Sequence, residues 1–379
     1  AKQVFSGLSN STVVLFAGMF VVGAAMFYTG LAQAIGEKVV HIFGTGENSL
    51  MLGLMLVGTV LSSVLSNTGT CACLMPVALG ICAASKNPAS RQLLPMAYAC
   101  GWGGIITLVG TPPNIIGSGA LTAAGLPGFS FFEFAWIGIP LSVAGILYML
   151  LIGKYLLPKA ELDADQEIEQ EIEATTHDKK KQVISGVILL ACVTVMALNL
   201  KFISLEMTAI IGALVCVLTG CLTEKQAYSS IDWVTIFLFA GMMPVSTAMD
   251  KTGAGKLIAN WAVGLMGGEP TPLIVTIVLF SISCFLTQFM SNTASAALLC
   301  PIGIAIAKQL NADPKAVVMA IAVAASCAFA TPVGTPPCTL VLGPGGYKFM
   351  DYVKCGTGLV LVCFVVSLIV IPMVWPFFP

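Results

Sequence analysis

The sequence predicts an all-α polytopic membrane protein, built as inverted repeats that each hold a re-entrant hairpin and a broken helix. Three observations lead there. Hydrophobic residues fill 57% of the 379 positions and charged residues 9%, with a mean hydropathy of +0.95, more apolar surface than a soluble globular chain can cover. Apolar segments of about 18 residues or more recur from end to end, which favours spanning helices over a barrel. One pattern is also written twice. "AKQVFSGLSNSTVVLFAGM" matches "EKQAYSSIDWVTIFLFAGM" at an offset of 223, Ser66-Asn67-Thr68 and Pro76 match Ser291-Asn292-Thr293 and Pro301 at 225, and Gly110-Thr111-Pro112-Pro113 matches Gly334-Thr335-Pro336-Pro337 at 224.

In chain order, hydropathy predicts a helix over 12–34, a pair interrupted by polar residues over 49–84, an interrupted segment over 92–125 and a helix over 132–157. The interval 159–182, "KAELDADQEIEQEIEATTHDKKKQ", holds eight acids followed by a lysine cluster, so it lies in water as a connector or a surface helix. Helices follow at 183–200, 206–222 and 233–251, then an interrupted pair over 272–308, an interrupted segment over 315–346 and a last helix over 353–376.

If each Ser-Asn-Thr is the tip of a hairpin that leaves by the side it entered, residue 159 and the mouth of the first hairpin share a side. Two more helices bring the chain back to that side near residue 223, so the second repeat begins opposite to the first and the repeats are inverted. Charge supplies a second criterion, because short cytoplasmic loops are rich in Lys and Arg. The side of the hydrophilic connector collects eleven of the 17 basic residues and the other side six, which predicts that 159–182 is cytoplasmic and the chain sits in the cell (inner) membrane. Two helices precede the shared helix of the second repeat, yet the chain starts at Ala1 with no initiator Met. The symmetry therefore predicts two further helices upstream, roughly 50 residues or more at about 20 per span.

The polar tips have a physical purpose. At membrane depth, backbone leaves helical geometry only where protein or water satisfies the freed groups. The half-helix ending near Ser66 presents unpaired carbonyls, which favour a small cation, and the one starting after Asn67 presents unpaired N–H groups, which favour an anion. Asn67 and Thr68 suit a helix start, and Ser62, one turn before Ser66, adds an oxygen to the same face. Thr287 stands in that relation to Ser291. In "VGTPPN" and "VGTPPC" the double proline breaks the helix, Gly110 and Gly334 allow close backbone approach, and Thr111 and Thr335 offer hydroxyls to the gap.

With its paired SNT tips and paired TPP loops, "CAFATPVGTPPCTLVLG" included, essentially the whole chain resembles the divalent anion/sodium symporter (DASS, INDY-type) family of di- and tricarboxylate transporters. The resemblance implies a homodimeric elevator that carries Na⁺, at least two ions, and a small dicarboxylate across the bilayer. Scaffold parts would be 1–48 and 183–271, and moving parts 49–158 and 272–379. It implies a first sodium site at Ser62, Ser66, Asn67 and Gly110, and a second at Thr287, Asn292 and Gly334. The anion would meet Asn67, Thr68, Thr111, Ser291, Asn292, Thr293 and Thr335. Cys338 stands where the family pattern has the asparagine seen here at Asn114. Two carboxylate-binding tips favour a C4 or C5 dicarboxylate, with citrate or sulfate as alternatives.

Other functions fit less well. The 13 cysteines lack CxxC pairs beside histidine, and His41 and His177 are far apart, so neither a disulfide framework nor a metal centre is indicated. A net charge of −1 argues against a nucleic-acid partner, and no nucleophile stands with a base and an orienting group, so no enzyme is indicated. Segments 51–85, 96–127, 273–307 and 316–347 contain no Asp, Glu, Lys, Arg or His, which argues against a proton-coupled cation antiporter. A passive anion channel or an exchanger stays open on composition.

Overall fold

A computed structural model describes residues 8, 10–44, 46–158, 178–198, 203–254, 257, 260–261, 264 and 271–377, and every regular element among them is a helix. The first, α1 (Ser11–Tyr28), starts at Asn10, whose side chain accepts from Thr12 N at 2.8 Å. It does not run to residue 34 as predicted. Gly30 adopts a left-handed φ of +74°, which ends the helix and turns the chain into a separate helix, α2 (Leu31–Phe43). The break was hidden because the apolar pattern continues across it.

The first hairpin is α3 (Glu47–Ser62) and α4 (Asn67–Ser85). The first broken helix is α5 (Leu93–Gly103), a 3₁₀ turn to Ile106, a gap, and α6 (Pro112–Ala123). At 11 residues α5 spans roughly 16 Å, about half a hydrocarbon core, so its end falls near mid-membrane. Next comes α7 (Ala135–Tyr148), continued by a π turn and a last helical turn to Leu156. Most of the hydrophilic connector, 159–177, lies outside the described residues. Helix α8 (Lys179–Leu198) begins earlier than the predicted 183, with its lysines in the first turn. The following elements are α9 (Leu205–Leu218), the short α10 (Glu224–Ser229) and α11 (Trp233–Thr252), which ends, as α1 does, at a left-handed glycine, Gly253, with φ +74°. The second hairpin is α12 (Pro272–Leu286) with α13 (Asn292–Gln309), and the second broken helix is α14 (Pro314–Ser326) with α15 (Pro336–Leu340). Helix α16 (Phe349–Val374) closes the chain. Among the described residues four helices, α1, α7 with its extension, α8 and α16, are long and apolar enough to cross a membrane alone.

The inversion is visible in the polar contacts at the two ends. On the connector side Arg91 pairs with Glu47 at 2.7 Å, Lys154 donates to Asn48 at 2.9 Å and Ser90 to the Pro158 carbonyl at 2.6 Å. At the other end Lys315 pairs with Glu133 at 2.6 Å, Trp375 donates to the same carboxylate at 2.9 Å and Asp313 N–H to Phe377 O at 2.8 Å. Arg91 and Lys315 occupy equivalent positions, 224 apart, yet they anchor opposite faces.

Two rods carry the core, since all of α5 and nearly all of α14 from Ala316 onward are buried. Tyr98 and Trp102 on α5 meet the ring of Phe329 edge-on at centroid distances of 5.3 and 6.3 Å. Helix α5 packs on α3, and α14 on α12, α13 and α6. Helices α1, α8 and α9 form a second group, in which Gly18 lies directly on the backbone of Ala209.

Candidate functional site

The first hairpin tip and the first broken helix meet in a cluster of oxygens. One terminal atom of the Asn67 amide lies 2.6 Å from Ser62 Oγ, 3.1 Å from Cys100 O and 3.2 Å from Gly110 O. Ser62 Oγ is also 2.7 Å from Cys100 O, to which it can donate. If that amide atom is nitrogen, it donates to all three. If it is oxygen, four oxygens face one another, and a cation is what holds such a cluster together. The carbonyl of Cys100 comes from the last turn of α5, where it also accepts from the Gly104 N–H that caps the helix. Thr107 Oγ1 donates to Ser63 O. Asn114 Nδ2 reaches Thr107 O at 2.8 Å, Gly104 O at 3.3 Å and Ile105 O at 3.4 Å, tying the gap between α5 and α6. A Cβ on Gly110 would stand 2.5 Å from Gly104 O, so only glycine fits.

The second tip repeats this geometry. The corresponding Asn292 amide atom lies 2.7 Å from Thr287 Oγ1, 3.2 Å from Ala325 O and 3.1 Å from Gly334 O, and Thr287 Oγ1 is 2.6 Å from Ala325 O. Thr331 Oγ1 donates to Gln288 O at 2.6 Å, as Thr107 does to Ser63. The residues correspond pairwise at offsets of 224 or 225. Thr111 and Thr335 even share a backbone conformation, with φ/ψ of −144/143° and −145/141°.

The groups expected to face the anion lie at the starts of four helices. Ser66 and Ser291 are the N-caps, accepting from Gly69 N at 3.1 Å and Ala294 N at 3.2 Å, rather than Asn67 and Thr68 as the sequence suggested. Ser66 thus spends its hydroxyl on the helix start, while Ser62, Asn67 and Gly110 come together. Thr287, Asn292 and Gly334 do the same. Thr68 and Ser291 are exposed, Thr293 is buried against Thr235 of α11 with hydroxyls 3.5 Å apart, and Thr111 and Thr335 are buried at helix starts that neither hydroxyl caps. Each tip helix packs on the broken helix of the other repeat, α4 on α15 and α13 on α6. One turn into each tip helix, the hydroxyls of Thr70 and Ser295, again 225 apart, are buried without a protein partner, as polar groups beside an ion or its water would be.

Several contributors escaped the sequence reading. Thr107 and Thr331 were missed, although each is the first residue of the matched stretches "TLVGTPP" and "TPVGTPP", a signal that could have found them. The carbonyls of Cys100 and Ala325 carry no side-chain signal. Thr235 and Gln288 become visible only through their contacts.

The family model of the citrate transporters, CitMHS, matches residues 1–265 and 195–378. The chain belongs to that family. Relatives of the chain include an uncharacterized transporter of Haemophilus influenzae, 34% identical over 99% of this chain and 83% of its own length. The sodium-dependent dicarboxylate transporter SdcS of Staphylococcus saprophyticus is 25% identical over 99% of this chain and 78% of its own. The fold of this family member is similar to that of the YdaH transporter of Alcanivorax borkumensis, with a TM-score of 0.74, 14% identity and coverage of 100% of this chain and 89% of that one. Its family and its structural neighbours are transporters, not enzymes.

Proposed function

We propose that this transporter is a sodium-coupled importer of a small divalent carboxylate, a C4 or C5 dicarboxylate such as succinate or malate. The observation that carries this is the matched pair of oxygen clusters, Ser62/Asn67/Cys100/Gly110 and Thr287/Asn292/Ala325/Gly334, each at the carbonyl end of one half-helix and the N–H end of the next. Each cluster suits one Na⁺, which makes two. When the Asn oxygen turns to the cation, its Nδ2 is released toward the tip, where it can donate to a carboxylate. Asn67, Thr68 and Thr111 would then hold one end of the substrate, and Ser291, Asn292, Thr293 and Thr335 the other. The names of the SdcS relatives support sodium and dicarboxylate, whereas the family name favours citrate as the second choice. Sulfate is a further alternative.

The test is a melting-temperature panel of succinate, malate, citrate and sulfate in Na⁺ or choline, because a ligand that binds the folded state stabilises it. Succinate should stabilise in Na⁺ and not in choline, and each ligand should strengthen binding of the other. Stabilisation by sulfate alone, or equal succinate affinity in choline, refutes the assignment. Saturable, sodium-dependent uptake distinguishes a carrier from a channel.

Transport would proceed by an elevator motion of the hairpins and broken helices past α1 and α8–α11, which would also form the homodimer contact in the inner membrane, with the connector in the cytoplasm. What supports the motion is an asymmetry between the repeats. Thr293 meets Thr235 near the start of α11, and Gly69 meets the Phe27 ring near the end of α1, both toward the connector side. Thr12, the counterpart of Thr235, instead lines an open cleft with Ser118 and Thr122. Exchanging the roles of the repeats takes Thr68 to Thr12, which lies fifteen residues from Phe27, roughly 22 Å along the helix at 1.5 Å per residue. A T12C/T68C pair should crosslink during turnover and stop transport. Crosslinks between the two groups that leave full transport intact would contradict the motion.

A further inference from the structure

Around their two oxygen clusters the repeats differ at several positions, and two of the differences compensate. In the first repeat the gap after α5 is tied by Asn114, whose Nδ2 reaches three carbonyls, Thr107 O, Ile105 O and Gly104 O. The equivalent position in the second repeat is Cys338, fully buried. A thiol is a weak single donor and cannot make that three-way contact. The gap after α14 must nevertheless be held, because Ala325 O and Gly334 O at its two edges belong to the cluster.

A different side chain reaches that gap from the opposite direction. Gln288 sits directly after Thr287, where the first repeat has Ser63. Its Nε2 donates to Cys284 O at 2.8 Å and to Cys327 O at 2.9 Å, and its Oε1 accepts from Ala330 N at 2.9 Å. Its own carbonyl accepts from Thr331 Oγ1 at 2.6 Å, and that same Oγ1 accepts from Gly334 N at 3.1 Å. Gln288 is 7% exposed. The amide thus fixes the hairpin end to Cys327 and Ala330 just after α14, and the main-chain carbonyl reaches Gly334 through Thr331. The Ser63 side chain lacks the length for this, and its hydroxyl bonds back to Val60 O at 2.7 Å.

We propose that Gln288 is the positioning residue of the second sodium site, doing from the hairpin what Asn114 does from the broken helix in the first, and that it is what permits Cys338. This rests on the sodium reading of the clusters given above. Gln288 itself touches no cation. It sets where Ala325 O and Gly334 O stand.

The experiment compares the purified unaltered protein with Q288M, C338N and Q288M/C338N, reading melting temperature and initial uptake against Na⁺ concentration. Methionine keeps the length of Gln288 and removes its hydrogen bonds. In Q288M the half-saturating Na⁺ should rise about tenfold, the effect of roughly one net hydrogen bond lost from preorganisation, with the Na⁺ dependence less steep and substrate affinity at saturating Na⁺ little changed. C338N should restore the Na⁺ curve in the Q288M background, because the twin backbone at Thr335 lets an asparagine there reach the gap as Asn114 does. An unmoved Na⁺ curve in Q288M with a lowered melting temperature overturns the proposal, since a merely structural glutamine would do that. Failure of C338N to rescue overturns it too. If Q288M does not fold, recovery of the folded protein by C338N supports the exchange of clamps and its failure refutes it. If Na⁺ neither stabilises nor drives the unaltered protein, the sodium reading fails first, an outcome distinct from these.

Discussion

Replacing Thr331 with valine keeps the shape of the side chain and removes one hydroxyl with two bonds. That hydroxyl donates to Gln288 O at 2.6 Å and accepts from Gly334 N at 3.1 Å, and the residue is 5% exposed, so water cannot easily substitute. Each buried partner left unmade costs about 1–3 kcal/mol, which puts the change at about 2–6 kcal/mol for the local geometry of the gap. The carbonyl of Gly334 is part of the oxygen cluster. If the gap holds its cation-ready geometry for a smaller fraction of the time, apparent affinity falls by that fraction. With about 1.4 kcal/mol per factor of ten, half-saturating Na⁺ should rise at least about tenfold. The assay is melting temperature against Na⁺ concentration, with and without saturating succinate. Thr107→Val should do the same through the first cluster, where Thr107 donates to Ser63 O. A T331V protein that melts lower in choline but responds to Na⁺ as the unaltered protein does would refute the link between this hydroxyl and the ion.

Other consequences are open to measurement. Gly356→Ala would place a Cβ 1.9 Å from Phe329 O, so that carbonyl must retreat by about 1 Å or more, lowering stability by about 1–3 kcal/mol in a denaturation curve; an unchanged curve would show that α16 yields instead. Asn67→Ala or Asn292→Ala should abolish uptake, whereas Thr68→Ala or Thr293→Ala should mainly raise the half-saturating succinate, and the reverse order would separate the asparagines from the cation. Burial pushes the Glu133 carboxyl up, but hydrogen bonds from Lys315, Trp375 and Ser130 N–H prevail and hold it below the ordinary carboxylate range. Its contribution to stability is therefore present above that range and lost as pH falls through the lowered value, and in Glu133→Gln that part of the acid sensitivity should be absent from melting curves. Succinate uptake with two Na⁺ should be insensitive to membrane voltage in proteoliposomes, and a voltage-driven current would require another ion.

How much of this was legible depends on whether a feature lives in side chains or in the backbone. The Ser-Asn-Thr tips and the TPP loops were legible because they break an apolar pattern with residues that need a reason to be there. The turn at Gly30 was not, since Leu31 to Ile35 continue the hydrophobicity and only the left-handed φ marks the corner. Cys100 and Ala325 were beyond reach for a different reason. A carbonyl oxygen serves a cation equally well whatever side chain follows it, so selection on that oxygen leaves no residue type to recognise. Gln288 hid because its partners are backbone groups of a segment some forty positions away.

The absence of Asp, Glu, Lys, Arg and His from the segments that form the tips and gaps bears on coupling as well as on the choice of ion. A net charge moved through the low-dielectric part of a membrane is costly, so a carrier part crosses most readily when its total charge is near zero. Segments 51–85, 96–127, 273–307 and 316–347 bring no charge of their own. On the proposed stoichiometry the empty part is neutral, and so is the part loaded with two Na⁺ and a dianion. A part holding the cations without substrate carries two positive charges, and one holding substrate alone would lack the ions that make its site. The two forms that move freely are then the ones a symporter needs, and leak is opposed by electrostatics rather than by a separate gate. An Arg in the pocket would bind a carboxylate more strongly, but it would leave the empty form charged on its return, which is a physical reason for building the site from amides, hydroxyls and helix ends.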